Sequence, residues 1–387
     1  MCTSIDAGRP VNLHVEAVIS PFMASAGVPY WWEPLFRLCP NRSIFLSGDW
    51  IQTWLEVYGN EFEAKWVRWE HNGAVVGGCL LVTKMAWKWL FPMRSLYLNA
   101  TGETARGTPL AEYNDILHLP GYKELIATDA ARVALNMRWS RFHVFGYKEG
   151  ALASLLVHLL PFAAVENDTS NANFVDFAAV GEKEFEASLS GKSGSQVRRN
   201  RRLHEEAYGN FEVVKARNLD EAMLFFSRLA ALNNNRWQSK SQVGTFSKEA
   251  IVDFHERLIR RLWLSGAVDL ICVRTNDKVF GYLYNFTTEN KVYVFQTGFA
   301  YVDGSKLSPG IMTHVLCIEH YRLKGYLEYD FLAGEALYKR ALAKHARPLF
   351  WTVVFRNSTW MRVLLMARSV KSALENFHKV NPTRNVM

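Results

Sequence analysis

Cysteine is scarce in this chain of 387 residues, and the five present, Cys2, Cys39, Cys79, Cys272 and Cys317, are widely scattered. There is no CxxC pair and no Cys/His spacing of a zinc site, so no metal is expected. Reduced, buried thiols in a cytoplasmic protein are the expectation. Long apolar runs are also missing. The longest, Ala151 to Val165, is broken by His158 and Pro161 and is too short to cross a bilayer. The start MCTSIDAGRP has no basic-then-apolar leader pattern, which points to a soluble protein that is not exported by the usual route. No run of Lys and Arg amounts to a basic tail. No GxSxG elbow or Cys/His couple occurs, so covalent catalysis by a side-chain nucleophile is not expected. His255, His314 and His320 lie on separate predicted helices without ligand spacing, and none reads as a metal ligand.

What the chain does have is 49% hydrophobic and 21% charged residues, enough for a sizeable core, and a net charge of +8 that leaves several acidic partners open. The apolar pattern predicts an α/β protein of two units, residues 1–173 and 174–387. In the first, helix Trp50 to Tyr58 precedes two strands, Lys65 to His71 and Ala74 to Val82, joined at the hairpin signal Asn72-Gly73. Strand Ser95 to Asn99, helix Tyr122 to Asn136, strand Arg141 to Gly146 and helix Ala151 to Leu160 follow. The polar stretch Glu166 to Asn173 reads as the boundary and SLSGKSGS (Ser188 to Ser195) as a flexible loop. In the second unit, strand Phe174 to Ala179 and helices Glu182 to Leu189 and Gln196 to Tyr208 lead to strand Phe211 to Ala216. Helices Leu219 to Asn233 and Lys248 to Ser265 then precede an antiparallel meander, Ala267 to Arg274, Val279 to Thr287 and Lys291 to Phe299.

The most informative stretch is Ser308 to Lys339. Ser308 suits an N-cap and Pro309 the first helical position, Gly310 leaves the backbone uncovered, and such a helix start can hold an anion. Ile311, Val315 and Ile318 give the helix an apolar stripe, and Gly325 ends it before strand Leu327 to Leu332. On that strand Asp330 sits amid apolar neighbours, so it must be paired or protonated if buried. Glu335 follows beside Gly334, with Tyr338 and Lys339 one helical turn on. Upstream, Arg198, Arg199, Arg201 and Arg202 crowd one predicted helix, where Glu205 and Glu206 are placed to pair with Arg201 and Arg202.

These parts together resemble the CelD-like acetyltransferases of the GNAT superfamily, related in architecture to FemAB-type peptidyltransferases. The resemblance rests on Ser308-Pro309-Gly310, Gly325, Tyr329-Asp330-Phe331-Leu332, Gly334-Glu335 and Tyr338-Lys339. It extends to Lys192 with Arg198, Arg199 and Arg201, and to Arg236-Trp237 with Gly244-Thr245-Phe246. The family's tryptophan after the Tyr-Lys pair is replaced here by Arg340-Ala341-Leu342-Ala343. The resemblance implies tandem GNAT-like units with mixed central sheets, the first degenerate. It also implies an acyltransferase using acetyl-CoA or another acyl-CoA, with direct transfer to the acceptor. Glu335 is then the expected base, with Asp330 as the next carboxylate and Tyr338 as the acid. The donor lies on Ser308, Gly310, Ile311 and the main chain of Gln296, Thr297 and Gly298. Lys192, Arg198, Arg236, Trp237 and Lys339 meet the substrate, which is a small-molecule or glycan acceptor or a cell-envelope precursor. Peripheral membrane contact is compatible with the charge and nucleic acid is not expected. Two alternatives stand beside this: a FemAB-like enzyme using aminoacyl-tRNA, and a non-catalytic partner in exopolysaccharide synthesis whose thirteen tryptophans form aromatic platforms.

Overall fold

The computed structural model describes residues 14–23, 26–40, 42–88, 91–101, 109–189, 191–276, 278–301 and 308–366, and the start MCTSIDAGRP falls outside them. The chain begins with β1 (Glu16–Pro21), α1 (Trp32–Leu38), α2 (Gly48–Tyr58), β2 (Glu63–His71), β3 (Ala74–Lys88), β4 (Phe91–Leu98) and β5 (Leu117–His118). It continues with α3 (Lys123–Asn136), β6 (Arg141–Lys148), α4 (Leu152–Leu159), β7 (Phe162–Asp176), α5 (Phe177–Val180), α6 (Phe185–Ser188) and α7 (Gly191–Tyr208). β8 (Glu212–Lys215), α8 (Leu219–Gln238), α9 (Glu249–Ser265), β9 (Val268–Arg274), β10 (Val279–Thr287) and β11 (Lys291–Phe299) come next. α10 (Pro309–Leu323), β12 (Glu328–Ala333), α11 (Leu337–Leu342) and β13 (His345–Arg356) complete the described elements.

All strands join one mixed sheet in the order β1-β2-β3-β4-β6-β13-β7-β12-β11-β10-β9-β8, with β5 against β3. The hairpin at Asn72-Gly73 is present, with both residues at positive φ (49° and 78°), as a two-residue type I′ turn requires. The meander β9–β10–β11 matches its expected strands to within a residue. β13 is the longest of the elements that sequence reading left unassigned, which also include β1, α1, β5 and α11. Its run LFWTVVF is rich in aromatic and β-branched residues, and it slots between β6 and β7, antiparallel to both. The last described strand of the chain therefore sits in the middle of the sheet.

Three local expectations change. Glu166 to Asn173 is not a linker but part of β7. β12 covers β7 only across Ala172 to Asp176, so upstream one edge of β7 is left open and its Glu, Asn and Asp side chains meet solvent. A polar, charged sequence is how an open strand edge avoids unwanted pairing. Phe177 to Ala179 leave the strand for α5, because Asp176 accepts the Ala178 N–H at 2.9 Å and starts a helical turn. The Gly-Ser stretch is helical from Gly191 on. Gly194 is needed there, because a Cβ would lie 2.5 Å from the Leu189 carbonyl oxygen.

The buried tryptophans serve packing. Trp32, Trp50, Trp54 and Trp69 are fully buried, and the Trp50 ring meets Phe254 of α9 at 5.1 Å and Phe286 of β10 at 5.9 Å, edge to face. Arg261 of α9 adds hydrogen bonds to Thr53 (2.8 Å) and Glu56 (2.6 Å) of α2. The two halves of the chain thus share both a sheet and a core. No helix among the described residues is long and apolar enough to cross a membrane.

Leu349 of β13 is fully buried and paired with both Lys148 and Ser170. Leu349→Ala is expected to cost about 2–5 kcal/mol and to do so in one unfolding transition, followed by calorimetry. Two separated transitions would show that the halves unfold independently.

Candidate functional site

β11 and β12 run parallel only over Lys291↔Glu328, Val292↔Tyr329 and Tyr293↔Asp330. Beyond that point each strand changes course. β11 slips register against β10 around Phe295, and β12 turns at Leu332, a non-glycine residue at φ 59°. The result is a fork whose open end lies toward Gln296, Thr297 and Gly298. Helix α8 presses directly on that arm, since a Cβ on Gly298 would stand 2.5 Å from the Leu229 carbonyl oxygen, and Asn233 Nδ2 donates to the Thr297 carbonyl at 3.1 Å.

α10 follows the same arm. Pro309 is its first residue and Ser308 holds the N-cap position, but the Ser308 side chain makes no cap hydrogen bond, which departs from the expectation for that serine. The first turn has no acidic residue, and Gly310 is packed so that a Cβ would be 2.9 Å from the Phe299 ring. Ile311 is half-buried and packs toward the core. Main-chain N–H groups at this helix start are thus without a side-chain cap among the described residues, the arrangement that favours an anion.

The other arm carries buried charge. Asp330 is fully buried, accepts the Tyr113 hydroxyl and the Leu332 N–H (2.7 Å), and lies 3.8 Å from Arg347 Nη1. Burial pushes its carboxyl up to about 6, against the pull of Tyr113 and Arg347. Glu112 accepts the Ala333 N–H at 2.7 Å and is pushed up to about 7, again by burial first. Lys339 Nζ donates to the carbonyls of Leu332 (3.1 Å) and Ala333 (2.7 Å), and burial lowers its pKa while Glu112 and Asp330 raise it. The left-handed turn at Leu332 is therefore held by three ionisable groups, two from the C-terminal half and one from the N-terminal half.

An aromatic wall completes the site. Tyr338 stacks on His314 with ring centroids 4.9 Å apart, and burial pushes its hydroxyl up to about 12 with Arg236 opposing. Arg236 also sits 5.0 Å from the Tyr301 ring. His314 is fully buried, held by Tyr329 through Nδ1 at 3.1 Å, with no partner on Nε2 among the described residues, and burial pushes it down to about 3. α8 runs five residues past the expected Asn233, so Arg236 and Trp237 are helical. Asn234 clamps the Gly244-Thr245-Phe246 turn to this helix end through both main-chain groups of Phe246, at 3.1 and 3.2 Å.

Of the residues singled out from sequence, the fold gathers Asp330, Lys339, Tyr338 and Arg236 around the fork, with Gln296 to Gly298 and Ser308 to Ile311 along its other arm. Glu335 points outward, its side chain 57% exposed and 4.0 Å from Arg340. Lys192 and Arg198 are exposed on α7, and Trp237 is half-buried beside Lys240. Arg201 and Arg202 do pair with Glu205 and Glu206, each at 3.6 Å. Glu112, Tyr113 and Arg347 were not legible. They lie far from the motif in sequence, and a Glu-Tyr step or a lone arginine before a proline carries no signal by itself.

Residues 191–340 match the family model for an acetyltransferase (GNAT) domain. Over that segment the chain is similar to GNAT acetyltransferase domains. That places it among acyltransferases, and the expected GNAT-type α/β fold is borne out. The fold is similar to the crystal structure of FemX, at 10% identity over 87% of this chain and 96% of that one, with a TM-score of 0.54. It is also similar to L-PGS from Bacillus licheniformis, at 10% identity over 88% and 96% of the two chains and a TM-score of 0.50. No curated protein sequence matches the chain. The GNAT domain contains both arms of the fork and α10, while Glu112, Tyr113 and Arg347 reach it from outside the matched segment.

Glu112 and Asp330 have raised pKa values in the folded state, so the native protein binds their protons more tightly than the unfolded chain. Both therefore oppose folding above about pH 7, and that cost is relieved as pH falls toward their ordinary values of 4.5 and 3.8. Glu112→Gln keeps an acceptor for Ala333 and removes one of these groups. Its melting temperature relative to the parent is expected to climb between about pH 5 and about pH 8. A difference that does not change with pH would show that Glu112 titrates in the folded protein as it does in the unfolded chain, and that its pKa is not raised by the buried site.

Proposed function

We propose that the protein transfers an acyl group from acyl-CoA directly to an amine acceptor, with the thioester in the β11/β12 fork. The observation that carries this is the parting of the two strands beside a helix start with no side-chain cap, with a buried carboxylate at the base of the fork. CoA phosphates suit the N–H groups of α10 at Ser308 to Ile311, and the thioester carbonyl suits main-chain donors of Gln296 to Gly298. The attacking nitrogen forms the new bond to the carbonyl carbon and the C–S bond breaks. Tyr338, kept protonated by its burial, gives its proton to the departing thiolate. The nitrogen's proton passes to Tyr113 as Tyr113 passes its own to Asp330, a carboxylate with a pKa of about 6 and so able to accept near neutrality. Exposed Glu335 is less suited to that role, because a side chain that stands in solvent beside Arg340 is not held toward the fork.

Arg236 and Trp237 would flank the acceptor where it meets the fork, and Lys339 holds the turn that shapes it. Lys192 and Arg198 would serve at an outer approach to the site. An acceptor of polysaccharide or cell-envelope type, and membership of the CelD-like branch, follow from the motif resemblance alone. The aminoacyl-tRNA reading is supported only by fold likeness to FemX, and CoA binding separates the two.

CoA or acetyl-CoA is expected to raise the melting temperature in a concentration-dependent way, and Gly310→Glu to abolish the shift, because its side chain must displace the Phe299 ring against the helix start and adds negative charge there. An undiminished shift in that variant would move the donor elsewhere. With any amine that supports turnover, Asp330→Asn is expected to keep donor binding while turnover falls roughly a hundred- to ten-thousandfold. Glu335→Gln should remain near normal. The reverse ranking would return the base to Glu335.

A further inference from the structure

A cavity of about 670 Å³ opens between the two halves on the Tyr113 side of the fork. Its size is that of a small-molecule site. Tyr113, which donates to Asp330, and Tyr293, the Asp330 register partner, both line it. Three cations come from three different strands to the same wall: Lys148 at the end of β6, Lys291 at the start of β11 and Arg347 in β13. Lys291 and Arg347 share one carboxylate, Glu328, at 3.4 and 2.6 Å. Asp115, on the same cavity, is engaged by the N–H groups of Ile116, Leu152 and Ala153 at the start of α4. Lys148 is half-buried and its pKa is lowered, first by burial, with Lys291 and Arg347 adding to the effect and Asp115 opposing it.

Acidic residues line the cavity as well. Glu33 of α1 and Asp49 of α2 are among them, and the Asp49 carboxyl is raised by burial first and by Glu33 next, with Arg261 opposing. Glu33 is paired with Arg37 on the outside at 3.0 Å, and the remaining rim cation, Arg42, with Glu289 at 3.6 Å. The cations that lie close enough to act on one another are Lys148, Lys291 and Arg347, and these form the place in the cavity where an anion would be held.

We propose that this cavity is the acceptor site and that the acceptor carries an anionic group, phosphate or carboxylate, held by Lys148, Lys291 and Arg347. This rests on the acyltransferase reading above and adds the class of acceptor. With the anion at the Lys148 end, the rest of the molecule extends along Tyr113 and Tyr293 toward Asp330, which sets the nucleophile at the fork. Arginine and lysine together suit such a group, the guanidinium as a planar fork and the ammonium ions as compact charges.

The test uses the full chain and simple probes, inorganic pyrophosphate for phosphate and citrate for carboxylate, titrated calorimetrically into the parent protein, Lys148→Gln and Gly310→Glu. The expected result is binding of at least one probe that Lys148→Gln weakens about tenfold or more and Gly310→Glu leaves intact. That binding should also weaken as salt is raised. Whichever probe shows the Lys148 dependence names the anion. No binding of either probe would overturn the proposal. Binding abolished by Gly310→Glu and untouched by Lys148→Gln would overturn it as well, while supporting the donor site. Lys148-dependent binding in a protein that CoA does not stabilise would keep the anion site and reject the acyl-CoA reading.

Discussion

The geometry of this protein turns on one strained residue. Leu332 adopts a left-handed conformation at the end of β12, which costs of order 1–3 kcal/mol. It persists because Asp330, Glu112 and Lys339 each take up a main-chain group of the turn. Without that turn β12 would continue alongside β11 and the fork would close. The strain is placed where an opening in the sheet is useful, and buried charge holds it there. The same charges have perturbed pKa values for the same reason, namely that they have been taken out of water to hold the backbone.

How much of this could be read from residues alone depends on whether the signal is local. The β9–β10–β11 meander and α10 were legible because alternation, turn dipeptides and a Ser-Pro-Gly start are written within a few consecutive residues. Asp330 was legible as a buried carboxylate through the alternation of its strand. Glu112 and Tyr113 were not, because their importance comes from meeting β12 across the whole length of the fold. β7 was misread for a related reason. Its polar stretch would mark a loop in isolation, and only the shortness of β12 explains why a strand there can be polar. Ser308 shows the limit of a motif in another way, since the position was right and the hydrogen bond expected of it is not made.

The division of labour between the halves is chemical as well as architectural. The GNAT domain supplies the fork and the helix start, whereas the segment Glu112–Tyr113 and the strand carrying Arg347 supply polar groups that reach Asp330 and the turn after it. Trp50 and Arg261 tie α2 to α9, so the cavity on the Tyr113 side is walled by both halves and its shape depends on how they are packed.

The position of β13 also has a consequence for how the chain comes to be folded during synthesis. This strand is made after every other described strand yet pairs on both sides in the middle of the sheet. Until it emerges, β6 and β7 each wait with an unsatisfied edge, and the sheet exists as two separate pieces. An incomplete sheet is open to pairing with other chains. The Glu-Asn-Asp-Thr-Ser-Asn run of β7, which solvates the waiting edge, is then a safeguard for the nascent protein as much as a feature of the finished one.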